Sequence, residues 1–180
     1  MSLFTDTTVY NVRKTDCTAK ETVCYDSLEA LDIAYERVSH EPIGTIEGCK
    51  EISEILGVNI CKNLFLTNAQ KTDFYLVMMP GDKTFKTKLL SPQLSCSRLS
   101  FAPPEFMEEF LNCTPGSASV LGLLFDKGLR VRLVIDKELL QDEYIGCHPC
   151  DNSSSLKIRT SDILEKLLPS TNHTPSFVEL

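Results

Sequence analysis

Two short runs of almost unbroken apolar residues, Asn63–Thr67 and Phe74–Met79, lie on either side of a polar turn at residues 68–72. Each run has the length of a strand, and Pro80-Gly81 closes the second, so the pair predicts a hairpin. Neither run alternates with polar residues, so both strands are expected to be buried on both faces. Helical patterns bracket them. Asp26 followed by Glu29 forms a capping-box pattern, and Leu28, Leu31, Ile33, Ala34 and Val38 continue a helical stripe to about His40, before Pro42. Thr45 is a plausible N-cap for a second helix ending at Gly57. Pro103-Pro104 opens a helix over Glu105–Leu111. Val120–Phe125 and Leu129–Ile135 flank Asp126-Lys127-Gly128, which predicts a second hairpin. A strand ending near His148-Pro149, another at Leu156–Ile158, a helix from Thr160 or Ser161 to Leu168 and an edge strand at Phe177–Glu179 complete the pattern. The expected class is α+β, a mixed and largely antiparallel sheet flanked by helices. Residues 1–25 read as an irregular lead-in and residues 26–180 as a single domain.

The length of 180 residues fits about one domain. No apolar stretch approaches the roughly 18 residues of a membrane helix, and the polar N-terminus lacks a signal-peptide pattern, so a cytoplasmic protein with no membrane partner is expected. Eighteen basic and 25 acidic residues leave a net charge of −7. Such a field does not hold nucleic acid, and DNA is not an expected partner. RNA would have to be met at one local patch, for which Lys83, Lys86, Lys88 and Arg98 are the candidates. The eight cysteines are scattered, and a core of this size needs no bridges, so free thiols are expected despite three Asn-x-Ser/Thr triplets.

Three local patterns could carry chemistry. Cys147-His148-Pro149-Cys150 has the spacing of a redox motif, but a turn and a strand follow it where an activating helix would have to start. It offers no second Cys-x-x-Cys to complete a zinc site. Gly116-Ser117-Ala118-Ser119 is a small-residue loop without the signature of a nucleophile elbow or a phosphate loop. Its backbone N–H groups could serve an oxyanion or a ribose, or it could be a plain connection. Lys62 stands at the start of a very apolar strand beside Asn63, either as a solvated cap or as an ammonium aimed into a cleft.

Five segments, in order, give these fragments a common reading. They are His40-Glu41-Pro42-Ile43-Gly44-Thr45-Ile46-Glu47, then Gly57 through Cys61-Lys62-Asn63-Leu64-Phe65-Leu66, then Arg98–Ala102 with Pro103-Pro104-Glu105, then Pro115–Ser119 with Gly122-Leu123, and finally His148-Pro149 with Asn152-Ser153. Over roughly three-quarters of the chain they resemble the free-standing prolyl-tRNA editing proteins of the YbaK/ProX type. The resemblance implies a cytosolic hydrolase that works in trans on the ester joining a wrong amino acid, alanine first, to the 3′ end of proline tRNA. It implies catalytic roles for Lys62, Asn63 and His148. Ile43, Thr45, Gly116, Ser117, Ala118 and Ser119 would contact the substrate, and neither a metal nor an organic cofactor would be needed. A synthetase or an elongation factor would be the accessory partner.

The chemistry suits that reading. An aminoacyl ester is already activated, so positioned water and oxyanion stabilisation suffice without a covalent nucleophile. Three positions depart from the family pattern. Val120 replaces a frequent proline in the small-residue loop, Phe125 replaces an asparagine before Asp126, and Cys147 replaces an aromatic residue before His148. These changes bear on amino-acid selectivity, and Cys-tRNA(Pro) is the rival substrate. A non-catalytic module that senses aminoacyl-tRNA or a free amino acid, and a thiol oxidoreductase with a depressed Cys147 pKa, are the alternatives from other classes.

Overall fold

A computed structural model of the chain describes residues 7–43 and 46–180. Helix α1 spans Ala19–Ala30 and is capped by Thr18, whose side chain accepts from the Glu21 N–H while the Glu21 carboxylate accepts from the Thr18 N–H. The helix expected over Asp26–His40 is therefore displaced, and it starts inside the stretch read as irregular. Asp26 and Glu29 are not a cap; both bind Arg13. Asp32, at a φ of 51°, turns the chain out of the helix, and Tyr35–Ser39 becomes strand β1. Pairing with a distant strand outweighed the helical stripe.

Helix α2 (Ile46–Leu56) ends at Gly57, whose φ of +60° suits a glycine C-cap. Strands β2 (Lys62–Thr67) and β3 (Phe74–Met79) form the expected antiparallel hairpin, with Lys62 opposite Met79 and Asn63 opposite Met78. Every residue of β3 is buried, whereas the first three of β2 are only half-buried and open toward a cleft. Helix α3 (Thr87–Gln93), which no sequence signal announced, covers one face of the sheet through Leu90. Next come β4 (Ser100–Phe101) and α4 (Pro104–Leu111), the latter seating Phe106 and Phe110 against Phe74 at ring separations of 4.9 Å.

The second predicted hairpin does not form. Val120–Leu124 is a buried 3-10 turn capped by Ser119, and Gly122 lies so close to Leu111 that a Cβ would meet the Leu111 Cβ at 2.9 Å. The Asp126 carboxylate accepts from the Arg130 and Val131 N–H groups, and β5 (Val131–Asp136) leaves that turn to pair in parallel with β3. A short apolar run does not distinguish a buried helical turn from a strand.

A 3-10 turn (Lys137–Gln141) leads to β6 (Tyr144–Cys147), followed by β7 (Ser154–Arg159). The last helix runs from Thr160–Asp162 through a π-helical stretch, Ile163–Leu167, to Leu168–Thr171, and β8 (Ser176–Val178) is an edge strand. Two sheets result rather than one: a five-stranded sheet ordered β4-β2-β3-β5-β8 and a three-stranded sheet ordered β1-β7-β6. Four of the six pairings are antiparallel, and β3-β5 and β5-β8 are parallel. The class is α+β, as expected.

The two sheets meet at one junction. Cys61 donates its N–H to the Gly146 carbonyl at 3.0 Å, and Gly146 donates to the Asn59 carbonyl at 3.1 Å. A Cβ on Gly146 would lie 3.0 Å from both the Asn59 carbonyl oxygen and the Ile60 Cα, so this close approach needs glycine. Lys62 follows Cys61 and His148 stands two residues after Gly146. The junction therefore brings residues 86 positions apart in sequence to one place.

Gly81 buttresses the same point, since a Cβ there would sit 2.4 Å from the Ile60 carbonyl oxygen. Gly81→Ala is expected to destabilise the protein by about 1–3 kcal/mol, because backbone must shift to relieve the clash. A denaturant midpoint equal to that of the unsubstituted chain would refute this.

Candidate active site

Beside the junction lies a two-lobed cleft. The larger lobe, with a cavity volume of about 670 Å³, is lined by Ile43, Lys50, Glu54, Lys62, Asp82, Glu138 and Asp142 among others. The smaller lobe, about 290 Å³, is lined mainly by apolar groups including Leu64, Phe65, Phe101 and Met107, together with Asn63 and Ala118. Cys49, Ile60, Cys61, Gly116 and His148 line both. Lys62, Asn63, His148 and the Gly116 loop thus converge on one cleft.

Lys62 begins β2, and its Nζ donates to the Lys83 carbonyl at 2.8 Å. An ammonium carries three donors, so two protons remain for a ligand. Asn63 donates from Nδ2 to the Cys61 sulfur at 3.4 Å, while its buried Oδ1 has no hydrogen-bond partner among the described residues. Such an acceptor is costly to bury unless a ligand or a water in the cleft completes it.

His148 is held by a chain of donors. The Nδ1 of His40 lies 2.9 Å from the Glu41 carbonyl, which accepts and so requires that nitrogen to carry the proton. The His40 Nε2 then accepts from the Ser155 hydroxyl at 2.9 Å. The Ser155 oxygen keeps its lone pairs for the His148 Nδ1, 3.4 Å away, which donates chiefly to the Ser154 carbonyl at 3.1 Å. These bonds put the proton of neutral His148 on Nδ1 and leave Nε2 as a base. Burial lowers the pKa of His148, against the opposing pull of its bond to Ser154, and burial likewise lowers that of His40. Both rings are therefore neutral near pH 7.

From the other side, Ser154 donates to the fully buried Glu21, whose carboxylate also pairs with Lys14 at 2.8 Å. The N-terminal segment is thus built into the support of the His148 strand. His40 belongs to a segment legible in the sequence; Ser155, Glu21 and Lys14 carried no local signal.

The small-residue loop divides by role. Gly116, at a φ of +88°, and Ala118 face the cleft. Ser117 is buried and exchanges hydrogen bonds with the backbone of Thr114. Ser119 donates to the His148 carbonyl at 2.5 Å and accepts from the Leu121 N–H, fastening the loop to the histidine. Ile43 lines the larger lobe, and Thr45 lies outside the described residues.

The thiol reading fails on electrostatics. Cys147 is fully buried, and that burial drives its pKa well above the usual thiol value, the reverse of an activated cysteine. Burial also pushes Cys61 up to about 11. All eight cysteines are free, and the Cys24 and Cys150 sulfurs are 3.7 Å apart. Among the described residues, no group of three or more His, Cys, Asp or Glu is arranged to hold a metal ion. The basic patch shrinks as well, because Lys83 is tied to Asp136 and Glu138; Lys86, Lys88 and Arg98 stay exposed.

With a mixed α+β fold, a strand-borne Lys-Asn pair and a neutral histidine on one cleft, the class of protein follows from comparison with known families. The family model for the aminoacyl-tRNA editing domain matches residues 40–166. The chain belongs to that family, and its enzyme class is that of an aminoacyl-tRNA deacylase. It is 34% identical over 166 residues to the prolyl-tRNA editing protein ProX of Acetoanaerobium sticklandii, covering 92% of this chain and 99% of that protein. It is 32% identical over 151 residues to the prolyl-tRNA synthetase associated domain-containing protein 1 of Danio rerio, covering 82% of this chain and 80% of the relative. A solved structure of a candidate trans-editing enzyme for prolyl tRNA synthetase superposes with a TM-score of 0.67 over 92% of this chain and 99% of its own, at 14% identity, which establishes the shared fold.

Proposed function

We propose that this protein acts in trans, in the cytoplasm, to hydrolyse the ester of mischarged proline tRNA, with alanine as the amino acid removed. The observation that carries the reading is the convergence of Lys62, Asn63, His148 and the Gly116 loop on one two-lobed cleft. The 34% identity to a prolyl-tRNA editing protein, extending over nearly the whole of both chains, supports the choice of tRNA.

In this reading the larger, more polar lobe takes the terminal adenosine and the smaller, apolar lobe takes the aminoacyl side chain. The free protons of Lys62 grip the ester end of the nucleotide, and the buried Oδ1 of Asn63 accepts from a ribose hydroxyl or a base amine. The Nε2 of His148 accepts a proton from the attacking water or from the neighbouring ribose hydroxyl that activates it. Backbone N–H groups of the Gly116 loop meet the charge that develops on the carbonyl oxygen. No covalent intermediate is needed.

With a net charge of −7 and Lys83 withdrawn from the basic patch, affinity for tRNA rests on the cleft and a few exposed cations. Binding is therefore weak and salt-sensitive, and a synthetase or elongation factor assists by holding the tRNA nearby.

The decisive experiment compares deacylation of Ala-, Cys-, Ser- and Pro-tRNA(Pro) by the purified protein. Rapid loss of alanine with proline spared is the expected result. Faster loss of cysteine would reassign the substrate, and binding of these tRNAs without turnover would replace the enzyme with a sensor.

A further inference from the structure

We infer that Lys83 is a positioning residue for the reaction, acting through its own backbone carbonyl on the ammonium of Lys62; the inference rests on the role proposed above for Lys62. A lysine side chain is a point charge on a flexible four-carbon stem, so its direction is set by whatever its N–H groups can find. Among the described residues, the hydrogen bond that directs the Lys62 ammonium is the 2.8 Å bond to the Lys83 carbonyl.

That carbonyl is itself braced. The Lys83 N–H closes a turn onto the Pro80 carbonyl at 3.2 Å, next to Gly81, which is pressed against the Ile60 backbone. The Lys83 ammonium reaches to the far end of β5, where it lies 2.8 Å from Asp136 and 2.7 Å from Glu138. Asp136 is 1% exposed and does two jobs: one oxygen accepts from Lys83, and the other accepts from the Glu138 N–H to cap the following 3-10 turn. The path therefore runs from a buried carboxylate on β5, through the side chain of Lys83, to its carbonyl, and from there to the ammonium of Lys62 at the lip of the cleft. Geometry of this kind limits rate, because a displacement of about 1 Å in a positioning group can cost on the order of a hundredfold.

Lys83 is thus tied by its side chain to Asp136 and Glu138 and by its carbonyl to Lys62, rather than free for a tRNA-binding surface. Lys83→Met alone strands the buried Asp136 carboxylate and could unfold the protein, so the paired variant Lys83→Met/Asp136→Asn removes cation and anion together. The test is a double-mutant cycle between this pair and Lys62→Ala, read as kcat and KM for Ala-tRNA(Pro), alongside thermal unfolding and the variant Lys83→Arg. The expected result is a folded paired variant whose kcat is lower by about tenfold to a hundredfold. In its background, Lys62→Ala should cost only about a further tenfold, well short of its effect in the unsubstituted chain, and Lys83→Arg should retain most of the rate.

Should Lys62→Ala cost the same factor in both backgrounds, the brace is overturned while the active-site reading stands. Should Lys62→Ala alone leave deacylation untouched, the active-site reading falls, and the brace with it. Full activity in a folded paired variant overturns the brace outright.

Discussion

Lys62→Ala is expected to lower kcat/KM for deacylation of Ala-tRNA(Pro) by about 10²–10³-fold, the scale of losing one preorganised donor at a developing charge. Stability should change little, because Lys62 is half-buried and its bond to the Lys83 carbonyl can pass to water. The two effects separate cleanly: single-turnover hydrolysis of labelled Ala-tRNA(Pro) should collapse while the thermal midpoint stays within a degree or two. Lys62→Arg should not restore the rate, since a planar guanidinium does not reproduce a compact ammonium held by one carbonyl. A variant that hydrolyses the ester as fast as the unsubstituted protein would remove Lys62 from the chemistry.

His148→Ala is expected to cost about 10²–10⁴-fold, the usual range for a positioned general base. The pH profile supplies an independent check. Burial disfavours the imidazolium, so the pKa of His148 lies below its ordinary value of about 6.5. The active form is the neutral ring, which gains population as pH rises through that lowered value. Activity should hold steady from pH 8 to below 6.5 and fall only in more acid solution. An acid limb with its midpoint at or above 6.5 would contradict the arrangement.

Stability follows the same direction by linkage. With both His40 and His148 depressed, the folded chain binds fewer protons than the unfolded chain between the lowered values and about 6.5. The stability contributed by keeping these rings neutral is complete above that window and is lost as pH falls through it. Circular dichroism across the same pH range separates loss of the base from loss of the fold.

Much of the scaffold was legible because local chemistry marks it. The β2-β3 hairpin declared itself through unbroken apolar runs and a polar turn, α2 through its terminal glycine, and α4 through its opening prolines. The helix expected at Asp26–His40 failed because its second half found better hydrogen bonds against β7, from Tyr35 opposite Ile158 to Ser39 opposite Ser154. The hairpin expected around Asp126 failed because that carboxylate satisfied the Arg130 and Val131 amides and sent β5 into a parallel pairing that no turn residue announces. At the cleft, Ile43, Lys62, Asn63, Gly116, Ala118 and His148 are drawn together as the motifs implied, whereas Ser117 and Ser119 point into the loop's own support.

By itself, the amino-acid sequence determined which residue types stand at the ends of the apolar strands and in the small-residue loop, together with the family those motifs belong to. These are local properties, readable from composition, spacing and turn chemistry. The tertiary structure decided the rest: which His148 nitrogen carries the proton, that Cys147 is fully buried, and that Lys83 pairs with Asp136 while its carbonyl accepts from Lys62. Each depends on burial or on partners far away in the chain, such as Asp136, 53 residues beyond Lys83. Electrostatic and hydrogen-bond energies are set by distance and exposure to water, and neither exists until the two sheets close around Gly146.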